Sequence, residues 1–197
     1  MAFMANELYR QDLRVCLDNV PGLKQLKGKS VLVTGAAGLL GSFLVDALRL
    51  ANRDRQLGCR IYALARSQER LVERFALAVN DNVQFLAQDV TQEWQYRDIC
   101  FDYIIQAAGG ADPRSMYEHP VEIIKANVHG TGKLLEFLRK TGHGRLLYLS
   151  SGEVYGETEN AEALSEQGFG RIDQDSVRSC YPLAKRLAEN LCLSYFH

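Results

Sequence analysis

A tyrosine and a lysine, Tyr181 and Lys185, lie four positions apart near the end of the sequence, and a proline directly follows the tyrosine. Proline suits the first turn of a helix, so Pro182 predicts a helix that begins here and presents both side chains on one face. A free phenol has a pKa of about 10 and is a poor base near neutrality. A neighbouring ammonium stabilises the phenolate and lowers that pKa, which equips the pair for proton transfer. On its own, the same spacing is also common on solvated helices.

A second polar cluster occupies residues 150–156, which read Ser-Ser-Gly-Glu-Val-Tyr-Gly. It follows a predicted strand over 145–150, at the edge where a parallel sheet carries its ligands. From that position the hydroxyl of Ser151 can hydrogen-bond the oxygen whose proton Tyr181 removes. A serine, a tyrosine and a lysine gathered at one sheet edge would form a proton-transfer site.

Three glycines spaced three apart follow the apolar run at 31–33 and precede an amphipathic segment. Without a Cβ the chain can turn tightly and approach a pyrophosphate, and the first helical turn adds unpaired N–H groups and a positive dipole end. Between a strand and a helix, this spacing indicates a dinucleotide site; a tight turn without a ligand is the alternative. The residues expected to contact the dinucleotide here are Gly35, Ala37, Gly38, Leu39, Leu40 and Gly41.

The elements that must position these residues alternate along the chain. Apolar runs predict strands over 30–34, 59–65, 83–87, 101–106 and 145–150; helical periodicity predicts helices over 39–51, from 67, over 120–142 and from 181. The helix from 67 carries Leu71, Phe75 and Ala78 on its apolar stripe. This order is typical of an α/β fold with a doubly wound parallel sheet, the Rossmann type. We expect residues 29–197 to form this NAD(P)-binding domain and residues 1–28 to be a helical extension packed against it.

The end of the second predicted strand bears on the choice of cofactor. A carboxylate there would bind the adenosine ribose and repel a 2′-phosphate, but this chain has a guanidinium and a hydroxyl, Arg66 and Ser67. A guanidinium can pair with a 2′-phosphate, so NADP is the preferred cofactor and NAD a possible one. The alternative is that Arg66 is a solvated arginine at a helix start.

Composition excludes several classes of function. The net charge of −1 gives no long-range field that would favour nucleic acid or an anionic membrane, and no segment resembles a leader or a membrane span. We therefore expect a cytoplasmic protein. The four histidines lack metal-ligand spacing, so no metal is expected. The five cysteines, also without paired spacing, are expected to be reduced, buried thiols: Cys16, Cys59, Cys100, Cys180 and Cys192.

Taken together, these motifs resemble the extended short-chain dehydrogenase/reductase family, which contains NAD(P)-dependent epimerases, dehydratases and decarboxylases of nucleotide sugars. The resemblance covers about residues 29–197. It rests on the glycine loop, on the Asp-Val pair at 89–90, on the Asn-Val-His-Gly-Thr run at 127–131, and on Ser151 with Tyr181 and Lys185.

The resemblance implies a role for each matched residue. Ser151, Tyr181 and Lys185 would form the catalytic triad, and Lys185 would also bind the nicotinamide ribose. Tyr181 would assist hydride transfer from sugar C4 to the nicotinamide, which gives a transient 4-keto nucleotide sugar. The other cofactor contacts would be Asp89 and Val90 at the adenine, Ala107, Ala108 and Gly109 along the phosphates and ribose, and Asn127 as a support.

Glu153 carries a sharper implication. Dehydratases and UDP-glucuronate decarboxylases of this family have a glutamate at this position, and a carboxylate beside a 4-keto ring can remove the acidic C5 proton. Residues 170–173 and 178–189 are similar to the decarboxylase branch in particular. However, Gly152 lacks the acid of the hexose 4,6-dehydratases, and Arg66 departs from the acidic strand ending usual in NAD-using decarboxylases. The alternative role for Glu153 is that of a loop carboxylate that caps a turn.

Members of the family ordinarily continue past the equivalent of His197 with further strands and a smaller domain that binds the nucleotide sugar. We therefore expect the 197-residue chain to bind a dinucleotide without useful turnover of a nucleotide sugar. Two alternatives stay open: a non-catalytic dinucleotide-binding module, and an NADP-dependent reductase of a non-sugar carbonyl.

The resemblance also implies a homodimer in which helices at 120–138 and 181–196 of the two copies pack together. Both helices carry apolar residues beyond those that one sheet face needs, namely Leu134, Leu135, Leu138, Leu187, Leu191 and Leu193.

Overall fold

A sheet of five parallel strands forms the centre of the molecule, in the order β3-β2-β1-β4-β5. The computed structural model describes residues 3–75, 83–157, 164–166, 168 and 170–197. Parallel neighbours require crossover connections, and the order reverses beside β1, which confirms the doubly wound Rossmann-type α/β fold. The strands are β1 (Ser30–Thr34), β2 (Arg60–Ala65), β3 (Val83–Ala87), β4 (Tyr103–Gln106) and β5 (Arg145–Tyr148).

Helices cover both faces of this sheet. Among the described residues no helix is long and apolar enough to cross a membrane. A π-helical turn over Lys125–His129 joins two of the helices without a break. The α-helices are α1 (Glu7–Asp18), α2 (Leu39–Arg55), α3 (Gln68–Phe75), α4 (Pro113–Glu118), α5 (Pro120–Ile124), α6 (Gly130–Thr141) and α7 (Cys180–Phe196).

The alternation of side chains along β1 explains the two layers. Val31 and Val33 point into a core formed with α1, α2 and α3, whereas Leu32 points into a second core with Phe101 and Leu134. All five residues of β1 are buried, as expected of a central strand covered on both faces.

The N-terminal segment packs onto the first of these cores. Leu13 and Leu17 of α1 and Leu23 of the following 3₁₀ turn belong to the same buried cluster as Val31. The Tyr9 hydroxyl also donates a hydrogen bond to the buried carboxylate of Asp46 on α2 (3.0 Å). Residues 7–26 therefore contribute core contacts as well as surface.

Most predicted elements are present, with shifted ends. Helix α2 continues four residues past its predicted end, β4 and β5 are shorter than predicted, and α4 was not predicted. The single helix predicted over 120–142 contains the π-helical turn. Leu71 and Phe75 of α3 are buried as predicted, and Ala78 lies outside the described residues.

Two expectations about buried and exposed side chains are wrong. Leu134 and Leu135 are buried within the chain, and Leu134 belongs to the same core as Leu32. The exposed apolar side chains of these helices lie instead on α5 and α7 and include Val121, Ile124, Leu187 and Leu193. Cysteine burial is also mixed, since Cys59 and Cys180 are buried but two others are exposed, Cys16 and Cys100.

Candidate dinucleotide-binding and active site

The glycine loop joins β1 to α2 in a turn that side chains would block. Gly35 has a positive φ of 63°, and a Cβ there would lie 2.8 Å from the carbonyl oxygen of Ala107. A Cβ on Gly41 would collide with the carbonyl of Gly35. Both positions therefore require glycine, and the loop runs directly against the segment that follows β4.

A hydroxyl at the end of β1 holds these two loops together. Thr34 Oγ1 accepts hydrogen bonds from the backbone N–H groups of Ala107 and Ala108 (3.1 Å each) and donates to Gln106 Oε1. The Gln106 amide in turn donates to the carbonyl of Ala108 (3.3 Å). Thr34 and Gln106 are fully buried. Sequence reasoning missed both residues, because they lie 72 positions apart and belong to no short motif.

The first turn of α2 is open to solvent. Gly38 is the N-cap residue and offers no side-chain cap, and Leu39 and Leu40 are 88% and 63% exposed. The backbone N–H groups at the start of a helix have no intrahelical partner and attract anions. Two large apolar side chains so exposed at this edge are consistent with a surface that a ligand covers.

A pocket of about 280 Å³ adjoins the outer side of this turn. Its walls combine the glycine loop with α1 and α3, so the N-terminal segment reaches the edge of the site. The lining residues are Tyr9, Ala37, Gly38, Leu39, Ser42, Phe43 and Arg74.

The two residues expected at the adenosine ribose behave differently. Arg66 is exposed and has no hydrogen bond or ion pair with the rest of the described chain. Ser67 instead caps α3: its Oγ accepts from the Arg70 N–H (3.3 Å) and donates to the Glu69 carboxylate (2.5 Å). That hydrogen bond lowers the pKa of Glu69. The Ser67 hydroxyl is therefore used by the start of α3, and only Arg66 of this pair is without such a contact in the described chain.

The residues expected at the adenine also make local contacts. Asp89 follows β3, and its Oδ1 accepts from the backbone N–H (2.8 Å) and the hydroxyl (2.7 Å) of Thr91. Val90 is buried beneath Gly130, where a Cβ would lie 2.7 Å from its Cγ2. The turn after β3 is thereby fixed, with Asp89 half-buried at the carboxyl end of the sheet.

Tyr181 and Lys185 are brought together on α7, and each is only 6% exposed. The Lys185 ammonium lies 5.6 Å from the centre of the Tyr181 ring and donates to the carbonyl of Leu149 (2.6 Å). Burial lowers the pKa of Lys185 to about 8 against a smaller opposing influence of Glu189. This lysine can therefore change its charge within a unit or so of neutral pH.

Ser151 and Glu153 lie on a 3₁₀ turn (Gly152–Tyr155) just past β5. Ser151 Oγ caps this turn by accepting from the Glu153 N–H (3.2 Å). The Glu153 carboxylate forms a two-point ion pair with Arg178, both N–O distances being 2.8 Å. Sequence reasoning did not single out Arg178. The pairing raises the pKa of the guanidinium and keeps Glu153 in contact with a cation.

Asn127 lies in the π-helical turn, fully buried. Its side-chain amide donates to the carbonyl of Ile123 (2.9 Å), a group that a regular α-helix pairs with the backbone N–H four residues on. Its Oδ1 accepts from the hydroxyl of Tyr148 (3.0 Å). A Cβ on Gly109 would lie 2.6 Å from the same oxygen, so this glycine lets the β4 loop approach Asn127.

The carboxyl ends of the strands thus carry one chain of contacts. The glycine loop meets the β4 loop, the β4 loop meets Asn127, and Tyr148 connects Asn127 to Lys185. Within the described residues no group of three or more histidine, cysteine or acidic side chains is arranged to hold a metal ion.

Comparisons with known proteins agree with this architecture. UDP-glucuronic acid decarboxylase 1 of Xenopus tropicalis is 30% identical over 173 residues, and UDP-glucuronic acid decarboxylase 2 of Arabidopsis thaliana is 35% identical over 174. Each alignment covers 88% of this chain but only 39% and 37% of the relative. The chain therefore spans well under half the length of these curated relatives.

Solved structures give the same picture. MoeE5 in complex with UDP-glucose and NAD superposes with a TM-score of 0.66 at 26% identity, over 84% of this chain and 48% of MoeE5. A UDP-galactose 4-epimerase superposes with a TM-score of 0.65 at 25% identity, over 84% of this chain and 51% of the epimerase. The family model for the NAD dependent epimerase/dehydratase family matches residues 31–197, from β1 to the end of α7. With fold, glycine loop and model match in agreement, the chain belongs to the NAD dependent epimerase/dehydratase family.

Proposed function

We propose that residues 29–197 form the dinucleotide-binding and proton-transfer part of an oxidoreductase that modifies nucleotide sugars through transient oxidation at C4. The observation that carries this proposal is the arrangement at one sheet edge. There the glycine loop contacts the Ala107 segment, and Lys185 lies beneath the Tyr181 ring. Residues 1–28 would be an N-terminal extension packed against this domain, to whose core Leu13, Leu17 and Leu23 contribute.

The residues at this edge fit a dinucleotide. Gly35 and Gly41 leave no room for side chains, the β4 loop is built of small residues, and the open first turn of α2 suits a pyrophosphate. Leu39 and Leu40 would supply backbone N–H groups to the phosphates, Asp89 and Val90 would border the adenine, and Lys185 would hold the nicotinamide ribose. When bound, the nicotinamide supplies a hydride acceptor and donor.

Tyr181 would act as the base for the hydroxyl at C4. The Lys185 ammonium lies 5.6 Å from the centre of the ring, where its positive charge would stabilise the phenolate formed when the proton is removed. Ser151 would hydrogen-bond the same substrate oxygen after turning from its cap on Glu153. Burial of Tyr181 and Lys185 keeps water from the proton that is exchanged.

Glu153 would remove the C5 proton of the 4-keto sugar in a dehydratase or decarboxylase. The relatives named as UDP-glucuronic acid decarboxylases support a substrate of that class. In the ligand-free chain Arg178 holds the carboxylate, so this role requires Glu153 to leave the guanidinium.

The second candidate is an NADP-dependent reductase of a non-sugar carbonyl, which the exposed Arg66 favours. The chain, extended by a nucleotide-sugar-binding domain of the kind that family members carry, is incubated with NAD and UDP-glucuronic acid or UDP-glucose, and separately with NADPH and a plain ketone. Mass spectrometry of the products separates these functions. A product that has lost carbon dioxide supports decarboxylation, and reduction of the ketone alone supports the second candidate.

Dinucleotide binding has its own test at Leu39. A carboxylate at this position would favour the helix dipole of α2 but repel a pyrophosphate. We expect Leu39→Glu to weaken NAD binding by about tenfold or more without loss of thermal stability. Leu39→Gln introduces a neutral side chain of the same size as glutamate, and this variant should bind NAD nearly as well as wild type. Equal affinities in all three proteins would contradict the proposed phosphate site.

A homodimer is proposed through α7, whose exposed face includes Leu187 and Leu193 and ends at the 86% exposed Phe196. Burial of such side chains favours a symmetric apolar contact. Sedimentation at tens of micromolar should give a dimer for wild type and a monomer for Leu187→Glu. A monomeric wild type would refute this contact.

A further inference from the structure

Tyr148, the last residue of β5, has two roles that its position alone does not suggest. Its hydroxyl donates a hydrogen bond to Asn127 Oδ1 (3.0 Å), and its ring lies 4.6 Å from the Lys185 Nζ atom. One side chain therefore joins the π-helical turn to the lysine on α7. No sequence motif singled it out.

Lys185 lacks the usual partner of a buried ammonium. Within the described residues it forms no ion pair, and the carbonyl of Leu149 accepts its hydrogen bond. The side chain is almost fully buried, so its charge has lost most of its hydration. What faces the ammonium instead is aromatic: the rings of Tyr148 at 4.6 Å and Tyr181 at 5.6 Å.

The electron-rich face of a phenol ring attracts a cation, and more strongly where water is excluded. Tyr148 is the nearer ring, and it is held in place from the other end by Asn127. Asn127 is itself fixed, because its amide donates to the Ile123 carbonyl (2.9 Å). The ring's position beneath Lys185 is therefore set by the π-helical turn.

We propose that Tyr148 is a positioning residue of the active site, whose ring keeps the Lys185 side chain in its cationic form and whose hydroxyl locks Asn127 against the β4 loop. This inference rests on the proposed role of Lys185 beside Tyr181. It adds a residue that acts through Lys185 without touching the reacting atoms.

Within the described residues, the titratable groups that influence the pKa values of Tyr148 and Lys185 are Tyr181, Glu189 and Cys192. Glu189 on α7 raises the pKa of Lys185 against the lowering by burial. The pKa of Tyr148 is raised far above its ordinary value by burial first, then by Tyr181, Cys192 and Glu189. Tyr148 therefore stays a neutral phenol across the range in which Lys185 titrates, and its ring remains available to the cation.

Two variants separate the ring from the hydroxyl. Tyr148→Phe keeps the ring and removes the bond to Asn127, whereas Tyr148→Leu removes both. We expect Tyr148→Leu to lower the pKa of Lys185 by about 0.5 to 1, because the ammonium loses its stabilisation by the ring whereas the neutral amine is little affected. Tyr148→Phe should leave that pKa close to the wild-type value.

The pKa is read from the ¹³Cε resonance of labelled lysine in the ligand-free chain, with Lys185→Arg used for assignment. This measurement requires neither NAD binding nor turnover, so it tests the role of Tyr148 even if the proposed function is wrong. A wild-type chain that does not bind NAD would contradict the proposed function instead. Urea unfolding checks that each variant is folded. A wild-type pKa in Tyr148→Leu, or an equal decrease in both variants, would overturn the role of the ring.

The hydroxyl is tested by hydrogen exchange of the Asn127 side-chain amide. Both variants should exchange several-fold faster than wild type, since both leave Oδ1 without its donor and free the amide to move. Unchanged exchange in Tyr148→Phe would overturn the lock on Asn127.

Discussion

Glu153 and Arg178 form a two-point pair, with both carboxylate oxygens 2.8 Å from guanidinium nitrogens. The pair ties the turn that carries Ser151 to the segment that leads into α7. Its side chains are 40% and 33% exposed, so solvent screens the attraction and the pair contributes little to stability.

The first prediction concerns this pair. Glu153→Gln should change the free energy of unfolding by no more than about 1 kcal/mol, because the pair is partly solvated. In a form extended by a nucleotide-sugar-binding domain, the same substitution should lower turnover of a nucleotide sugar by about a hundredfold or more if Glu153 is the base for the C5 proton. Arg178→Gln is the matched control, since it breaks the same pair and leaves the carboxylate free. Equal losses of turnover in both variants would indicate a structural role for Glu153.

The second prediction is a pH dependence of stability. The pKa of Lys185 falls from 10.5 to about 8 on folding, so the unfolded chain binds the additional proton between these values. Stability from this group therefore rises as pH increases from about 8 to 10.5, by roughly 3 kcal/mol if the full difference is expressed.

The measurement compares wild type with Lys185→Met by urea unfolding at pH 7 and pH 10. Since the tyrosines and other lysines are common to both proteins, the difference between them isolates Lys185. The free energy of unfolding of wild type should increase relative to that of Lys185→Met as pH rises. A difference that stays constant between pH 7 and pH 10 would show that burial of the Lys185 ammonium does not destabilise the folded chain.

The third prediction addresses cofactor choice. Arg66 offers a cation to a 2′-phosphate, whereas Glu69, three positions further along the chain and hydrogen-bonded to Ser67, carries an anion. We expect NADP to bind more tightly than NAD. Arg66→Ala should weaken NADP binding by about tenfold, and Glu69→Gln should strengthen it. Neither substitution should alter NAD binding much. If titrations show that NAD binds as tightly as NADP and that neither variant changes the two affinities, Arg66 does not contact the 2′-phosphate.

The fourth prediction concerns the buried carboxylate beneath α1. Asp46 is fully buried and accepts from Arg49 (2.7 Å), Arg74 (2.8 Å) and Tyr9 (3.0 Å). Asp46→Ala should destabilise the chain by about 3–5 kcal/mol, because two arginines lose a common anion. Tyr9→Phe should cost only about 1 kcal/mol. Glu118→Gln breaks an exposed pair with Arg114 and serves as the control, with a change within about 0.5 kcal/mol. Denaturant unfolding of the three variants should follow this order.

Local patterns were sufficient for the sheet and its ligand edge. The buried run of β1 and the glycine spacing after it predicted both the strand and the turn, since a central parallel strand leaves an unbroken apolar signature. Helix α4 was missed although Asp112 and Pro113 are a recognisable helix start, because the helix is only six residues long.

Contacts between distant residues could not be predicted in the same way. The hydrogen bond from Tyr148 to Asn127 joins two elements that become neighbours only once β5 has paired with β4. The π-helical turn and the hydrogen bond from the Asn127 amide to the Ile123 carbonyl within it are also not revealed by helical periodicity. The expectation that Leu134 and Leu135 exceed what the chain's own core needs was wrong for a related reason: an apolar stripe alone does not tell which part of it meets that core. The dimer itself stays a prediction.

The hydroxyl of Thr34 accepts hydrogen bonds from two successive amides of the β4 loop, and the glycine loop packs closely against the same segment. The relative position of the two loops is therefore set by the folded chain before any ligand arrives. Binding to loops that are already ordered costs less conformational entropy of the protein than binding that must first order them. Thr34→Val keeps the shape of the side chain but removes these hydrogen bonds. Each dinucleotide that binds to the variant would then have to order the two loops itself.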